Sequence, residues 1–559
     1  MARIANRRRT IASGPDNRRT SSGTRHGARA GLPRAPEGTP GGYGVSRRDA
    51  LRLASIAAAG AVGLSTLGAC GTVPTKPDAS TPRKRGGTLS HGATGGGLKD
   101  TLDPHFPVTN PDIARCFNLY EPLLMWDNKY KIAPCLATAV TPNKAATVWT
   151  IELRPDVVFH HGKSMTAEDV MFTLSRLTDP KNPAPGGTQL AEVLDLKSSR
   201  TLDDHTLRLR LSKPYALLDQ LLAEYTTGII PTDFTLTKPV GTAGFAYKSF
   251  TPGQLSTFTR FGDYWGDPAY VDELLIYDFA DDAAKVNALL AGQVQSVDNL
   301  PSYLVDAVGK QGSSALIADT GAWIPFTMRV DTAPYSDNRV RQALRLVADR
   351  QQLIDQALNG YGFLGNDLYS PFDPAYADDL PQREQDLDQV RSLLKQAGKS
   401  DLQVELVTST AVGAGGVEAA NLYADQARAA GIDVRLTKAD ANTFYGDQYL
   451  KWPFAQDFWN TRNYLPQAAA CALPSSPYNE THFDDKKYQK LVAQATQEVD
   501  DTKRNELIRR CQQIEYDRGG YLIWGFKRQV DGYSNLVRGF EPSRYQPCGS
   551  FRFRNVSFV

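Results

Sequence analysis

One stretch constrains the fold more than any other. "LQVELVTS" at 402–409 and "IDVRLTKAD" at 432–440 are short strand-like runs, and between them "VEAANLYADQARAAG" at 417–431 carries apolar residues at helical spacing and ends on Gly431. Strand, helix, strand in that order is a βαβ unit, because parallel neighbours cannot be joined by a tight turn and their crossover is almost always right-handed. This part of the chain must hold a parallel α/β layer. Upstream, "YSDNRVRQALRLVADRQQLIDQALNG" predicts one long amphipathic helix, with Asp337 as N-cap, Val340, Leu344, Val347, Ile354 and Leu358 along one face and Gly360 beyond its end.

The first half of the chain has a different period. "TVWTIELRPDVVF" puts Trp149, Ile151 and Leu153 on one face, and "HTLRLRLSKP" alternates Leu207, Leu209 and Leu211 with Arg208 and Arg210. Period two predicts half-buried strands. Between them "SMTAEDVMFTLSRL" opens a helix on a capping box of Thr166 and Asp169. This half reads as α plus β with one sheet face in solvent. A chain of 559 residues exceeds one core, so two or three domains are expected.

Residues 1–45 are rich in Arg, Gly, Pro and Ser without apolar periodicity and read as disordered. The uncharged run that follows, 53–70, has 18 residues, mostly small, where a membrane span needs about 20 strongly apolar ones. Arg47 and Arg48 precede it, and Leu67, Gly68 and Ala69 lead into Cys70. These residues resemble a twin-arginine export signal joined to a bacterial lipobox, which implies lipidation of Cys70 and anchoring at the outer face of the bacterial cell membrane. An uncleaved signal anchor is the alternative. Ala50 stands where twin-arginine signals carry an aromatic or large apolar residue, so both the Tat and the Sec routes stay open. Residues 71–85, rich in Pro, Thr and Lys, read as a tether, with the folded body starting near Gly86.

Charge and cysteines narrow the function. Of 63 basic and 61 acidic side chains, residues 1–52 hold 12 arginines and 3 acids, leaving 51 basic against 58 acidic, a net charge near −7. That balance gives no electrostatic footprint for nucleic acid. Beyond Cys70, the cysteines at 116, 135, 471, 511 and 548 show no metal-like spacing, and read either as two disulfides with one free thiol or as a buried, unbridged set.

Catalytic motifs are missing. "HHGKS" at 160–164 resembles the end of a phosphate loop, but Val157 occupies the position of its first glycine. There is no H-E-x-x-H, G-x-S-x-G or G-x-G-x-x-G after a strand. His160 and His161 read as a turn-exposed pair rather than metal ligands. We expect no catalytic residues, no metal and no cofactor.

Aromatic density is the positive signal. Between Phe444 and Tyr464 lie eight aromatics in 21 residues, where the chain average of 9% predicts about two. Asp457, Asn460, Arg462 and Asn463 are interleaved with them, the mixture expected of a small-ligand cleft wall.

"LRPDVVFHHGKSMTAEDVMFTLSRL", "PVGTAGFAYKSF", "FGDYWGDPAYVDELLIYDF", "ADDAAKVNALLAGQV", "VDTAPYSDNRVRQALRLVADR" and "KRNELIRRCQQIEYDRGGYLIWGF" follow one another in the order found in the family-5 extracellular solute-binding proteins of ABC importers, the peptide, dipeptide, opine and nickel class. The resemblance runs from Gly86 to the C-terminus. It implies an α/β, periplasmic-binding-protein-like fold (class II, cluster C), two-lobed with a hinge and three domains. Domain I would comprise 86–125, 235–322 and 521–559, domain II 126–234, and domain III 323–520. "AWIPFTMRV" and "YLIWGFKRQVDGYS" would be the hinge crossings, and the protein would be a monomer that delivers solute to membrane permease subunits.

Peptide-binding members carry an aspartate after the domain III tryptophan to pair with the peptide ammonium. Here Trp459 is followed by Arg462 and Asn463 instead. The expected ligand contacts are Tyr445, Asp457, Phe458, Trp459, Arg462, Asn463 and Tyr464, with Arg462 suited to a carboxylate and Asp457 able to take an ammonium from a shifted position. An internal salt bridge is the competing role for Arg462. The solute is expected to be an oligopeptide or related small molecule, with an opine-like carboxylate or nickel chelate as the alternative. A secreted hydrolase and an adhesive or chaperone-like lipoprotein are the more distant readings.

Overall fold

The computed structural model describes residues 76, 78 and 82–559. Arg47, Arg48, Cys70 and tether residues 71–75, 77 and 79–81 lie outside the described residues. Thr72–Val559 form one compact unit, and no helix among the described residues is long and apolar enough to cross a membrane.

Three sheets organise that unit. The βαβ stretch folds as expected: Gln403–Thr408 and Asp433–Lys438 pair in parallel through six residues, joined by the helix Gly416–Ala429. Gly431 stops that helix at φ +85°, a conformation glycine adopts without steric cost. This pair belongs to a five-stranded sheet continued by Phe454–Gln456, Phe326–Met328 and Tyr521–Leu522. Ala419, Ala420, Tyr423 and Ala427 pack the helix onto Val404, Leu406 and Val434.

The long helix expected over 338–358 is instead two helices, Asn338–Val347 and Arg350–Ala357. Asp337 caps the first, as expected, by accepting from Arg339 N–H. Asp349 breaks the run because its carboxylate accepts from Gln352 N–H and caps the second helix. Gln426 fixes the break through the Asp349 backbone, accepting from its N–H at 3.0 Å and donating to its C=O at 3.3 Å.

The period-two stretches become Val148–Leu153 and Thr206–Leu211, antiparallel neighbours with Trp149 opposite Leu209 and Ile151 opposite Leu207. Ala137–Pro142 and Leu194–Asp203 complete a four-stranded antiparallel sheet. The helix Ala167–Leu177 opens on the Thr166/Asp169 capping box and packs Val170, Leu174 and Leu177 into the same core as Trp149, Ile151 and Leu207.

The third sheet has eight strands gathered from distant stretches. Its order is Ser313–Ala322, Gly525–Ser534, Ser296–Val297, Thr88–Thr94, Glu273–Phe279, Leu255–Arg260 and Phe245–Thr251, with Gly362–Leu364 added on Gly525–Ser534. Two segments pass side by side from this sheet to the five-stranded one. Ser313–Ala322 continues through Trp323 to Phe326–Met328, and Tyr521–Leu522 continues through Trp524 to Gly525–Ser534. Gly365 lies against this passage so closely that a Cβ there would meet the Ile523 carbonyl oxygen at 2.5 Å.

All five described cysteines are buried and unbridged, and burial pushes their thiols upward, so of the two sequence readings the unbridged one is the structure. The turn-exposed histidine pair needs correction at one member. His160 accepts from Gly241 N–H at 3.2 Å and its Nε2 meets the Ala243 carbonyl at 2.9 Å, and burial lowers its pKa to about 4. His161 is exposed beside Asp233.

Candidate functional site

The aromatic segment is built onto the first crossing. Trp323 and Trp459 exchange backbone hydrogen bonds of 3.0 and 2.9 Å, and Gly321 N–H donates to Thr461 Oγ1 at 2.8 Å. Their rings lie 6.0 Å apart at 20°, with Trp323 fully buried and Tyr478 set edge-on to Trp459. Residues 457–463 are therefore held where the two large sheets meet.

The expected contacts separate within this segment. Phe444 sits in a small core with Ile324, Val407 and Val412. Asp457 is 3% exposed, and Tyr445 and Tyr449 donate one hydroxyl to each of its oxygens at 2.9 and 2.8 Å. Glu480 lies beside it; burial and the Asp457 charge hold the Glu480 carboxyl well above the usual carboxylate range, and Tyr521 donates to it. Tyr464 is in the interior, where it, Tyr369 and Tyr488 all donate to Glu515. Burial lifts Glu515 to about 7 against these three hydrogen bonds, which favour its anion.

Phe458 and Arg462 are exposed at the seam, while Trp459 and Asn463 are buried beneath them. Phe458 is 46% exposed. Arg462 is exposed, with its guanidinium carbon 5.5 Å from the Trp459 ring centroid. Among the described residues it makes no direct salt bridge. Asn463 caps the helix Tyr464–Cys471 by position; its Nδ2 donates to Gln220 Oε1 at 3.3 Å, while its Oδ1 is buried without a partner.

Opposite Arg462 stands a group that sequence reading missed. The residues flanking Arg462 contact it directly: Thr461 C=O accepts from Tyr130 OH at 3.3 Å, and Asn463 meets Gln220. Tyr130 stacks on Trp126 with ring centroids 4.2 Å apart at 7°, and Tyr545 lies 5.7 Å from Tyr130. Trp126 Nε1 and Tyr545 OH donate to the two oxygens of Glu224 at 3.1 and 2.8 Å. Burial raises Glu224, and the nearby Arg462 guanidinium acts against that rise. Trp126 with Tyr130, Glu224 and Tyr545 come from three separate stretches. The legible signal was Glu224 itself, an acid directly after the apolar run of Leu221, Leu222 and Ala223.

Trp126 and Tyr545 also line a pocket, with Glu121, Tyr225, Arg552 and Arg554 among its other walls. None of residues 444–464 lines it. Glu121 accepts from Tyr264, Trp265 and Thr242, and no cluster that could hold a metal ion occurs among the described residues.

The sequence pattern of the bacterial extracellular solute-binding proteins, family 5 (middle), matches residues 131–489. Di/tripeptide-binding protein 2 of Pseudomonas aeruginosa (strain UCBPP-PA14) is 25% identical over 467 residues, covering 76% of this chain and 86% of that protein. The solved structure of the ABC transporter substrate-binding protein CtaP from Listeria monocytogenes superposes with a TM-score of 0.76 at 20% identity, covering 85% of this chain and all of that one (100%). AgaA from A. tumefaciens R10 in complex with agropinic acid gives 0.68 at 22% identity, covering 85% and 99%. The α/β periplasmic-binding-protein fold is thus shared, and the chain belongs to the bacterial extracellular solute-binding proteins of family 5.

Proposed function

We propose that this protein captures a peptide or related small solute bearing a carboxylate and hands it to the membrane subunits of an ABC importer. The observation that carries the reading is Arg462: an exposed, permanently charged fork over Trp459, without a direct salt bridge among the described residues, next to Thr461, whose carbonyl accepts from Tyr130 OH. A guanidinium so placed suits a planar anion. Phe458, Trp459 and Asn463 are its companions. Asp457, already bonded by two tyrosines, holds Tyr445 and Tyr449 in position, and Tyr464 anchors the segment through Glu515.

In this reading 86–125, 235–322 and 521–559 with 126–234 form one lobe, and 323–520 forms the other. The two crossings at Trp323 and Trp524 act as the hinge. A ligand that touches both lobes stabilises the closed form by its differential affinity, and closure is what a permease can recognise. Export through the Arg47/Arg48 signal and lipidation of Cys70 would hold the protein at the outer face of the membrane as a monomer.

A second reading, a dedicated carrier for one small carboxylate, is favoured by Arg462 and by the likeness to AgaA, whose solved complex holds agropinic acid. Native mass spectrometry of gently purified protein, with fragmentation of the released species, decides between them. A ladder of short peptides supports the first reading, a single anionic mass supports the second, and retention unchanged in Arg462→Ala overturns the anion contact in both.

A further inference from the structure

Two buried acids meet at the start of the segment that carries Arg462. Asp457, 3% exposed, and Glu480, 5% exposed, lie within hydrogen-bonding reach of each other, and among the described residues neither makes a salt bridge. Asp457 is well supplied with donors: Tyr445 OH and Phe458 N–H donate to its Oδ1 at 2.9 and 2.7 Å, and Tyr449 OH donates to its Oδ2 at 2.8 Å. Glu480 is not. Tyr521 OH donates to its Oε2, while its Oε1 is buried without a donor.

Asp457 brings only acceptors to this contact, so two ionised carboxylates would repel each other where water does not screen them. A proton on Glu480 resolves both problems, because it turns the unpaired oxygen into a donor to the Asp457 carboxylate. The other titratable groups that feel Glu480 are the Tyr445, Tyr449 and Tyr521 hydroxyls and the Cys471 thiol, all pushed upward by burial and so neutral. His482 turns away, to Asp331 at 3.2 Å and the Leu450 carbonyl at 2.8 Å. The place of the pair gives the proton a task. Asp457 orders the backbone leading into Phe458, and Tyr521 stands on the second crossing with its ring 5.3 Å from that of Trp323 on the first.

We infer that Glu480 is a positioning residue for solute binding: it shares one proton with Asp457, and that proton clips residues 457–463 to the two crossings. The inference rests on the reading of this segment as the solute contact and adds what holds it in place. Burial and the neighbouring Asp457 charge favour the neutral form of Glu480 in the folded protein, so the clip is complete at low pH and is lost as pH rises through the folded value. Without the proton, Asp457 and Glu480 push apart and the turn into Phe458 loosens. The grip of Arg462 on a solute then weakens with no change at Arg462 itself.

The test uses the full-length protein in mild detergent, with amide hydrogen exchange over 457–463 read by mass spectrometry from about pH 6 to about pH 10 and corrected for the intrinsic pH dependence of exchange. Retention of an equimolar library of unmodified di- and tripeptides is read by native mass spectrometry over the same range, and thermal melting checks folding. Glu480→Gln carries the decision, because its amide is a permanent donor to Asp457 that cannot ionise. The expected result is that protection of 457–463 falls at least about tenfold with rising pH in the wild type and stays level in Glu480→Gln, with retention following protection in both. Should Glu480→Gln fail to melt cooperatively, Asp457→Asn puts the permanent donor on the other side of the contact and is read in the same way. Protection that stays level in the wild type, or that falls equally in wild type and variant, overturns the inference. Protection that behaves as expected while retention ignores it leaves the clip standing and overturns the placement of the solute at Arg462. If no peptide is retained at any pH, the peptide reading is removed and the exchange data alone decide on the clip.

Discussion

The molecule contains two aromatic groups that teach opposite lessons. The one at 444–464 is contiguous, eight rings in 21 residues, yet the structure turns several of them to internal work: Phe444 fills a core, Tyr445 and Tyr449 hold Asp457, and Tyr464 holds Glu515. The other, Trp126, Tyr130, Tyr225 and Tyr545, is scattered over more than 400 residues and assembles around Glu224 opposite Arg462. Density along a sequence reports buried aromatic area. The scattered group is just as buried at Trp126 and Tyr130, 3% and 5% exposed, but its convergence on one carboxyl is visible only in the fold.

The comparison is broken most severely by Trp323→Ala. Trp323 is fully buried between Trp459 and Tyr369, so its loss should cost about 3–5 kcal/mol in denaturant unfolding and disorder the contiguous segment. A cost below about 1 kcal/mol would show that the crossing does not anchor the site.

A pH profile probes the internal half of that segment. Glu515 is pushed from 4.5 to about 7, so between those values the folded protein holds a proton that the unfolded chain has released. Its contribution to stability is full below about pH 4.5 and falls as pH rises through about 7, by at most about 3 kcal/mol. His160, lowered to about 4 by burial, acts in the opposite sense across an overlapping range, so the informative quantity is the difference between wild type and Glu515→Gln. That difference should vary with pH in this window; a constant offset would contradict the assignment.

Arg462→Ala should weaken solute binding roughly 10- to 100-fold, the loss of a hydrogen-bonded charge contact, while leaving the melting temperature nearly unchanged because the side chain is exposed. Calorimetric titration with the retained solute measures the first and thermal unfolding the second. The smallest effect is expected from Tyr464→Phe, which removes one of three donors to Glu515. It should cost about 1 kcal/mol of stability and leave affinity unaltered, so a change in affinity without one in stability would return Tyr464 to the ligand face.

Much of the local fold was legible because it follows from short-range periodicity. The βαβ unit, the period-two strands and the Thr166/Asp169 box all stand where spacing and capping chemistry put them. The helix at 338–357 was misjudged because its apolar spacing continues through Asp349, whose cap and Gln426 contact are side-chain decisions that periodicity does not register. The eight-stranded sheet joins stretches from Thr88 to Ser534, pairings that no window along the chain can contain. The site divides in the same way. Arg462 and Trp459 could be picked out by composition, whereas Glu224, Trp126 and Tyr545 meet only through long-range packing.

The most direct test is a crystal structure of the protein with the solute it retains through gentle purification. Ligand density is expected in the seam beside Arg462 and Trp459, touching both lobes. Density confined to the cavity walled by Glu121, Arg552 and Arg554, with Arg462 uninvolved, would contradict it.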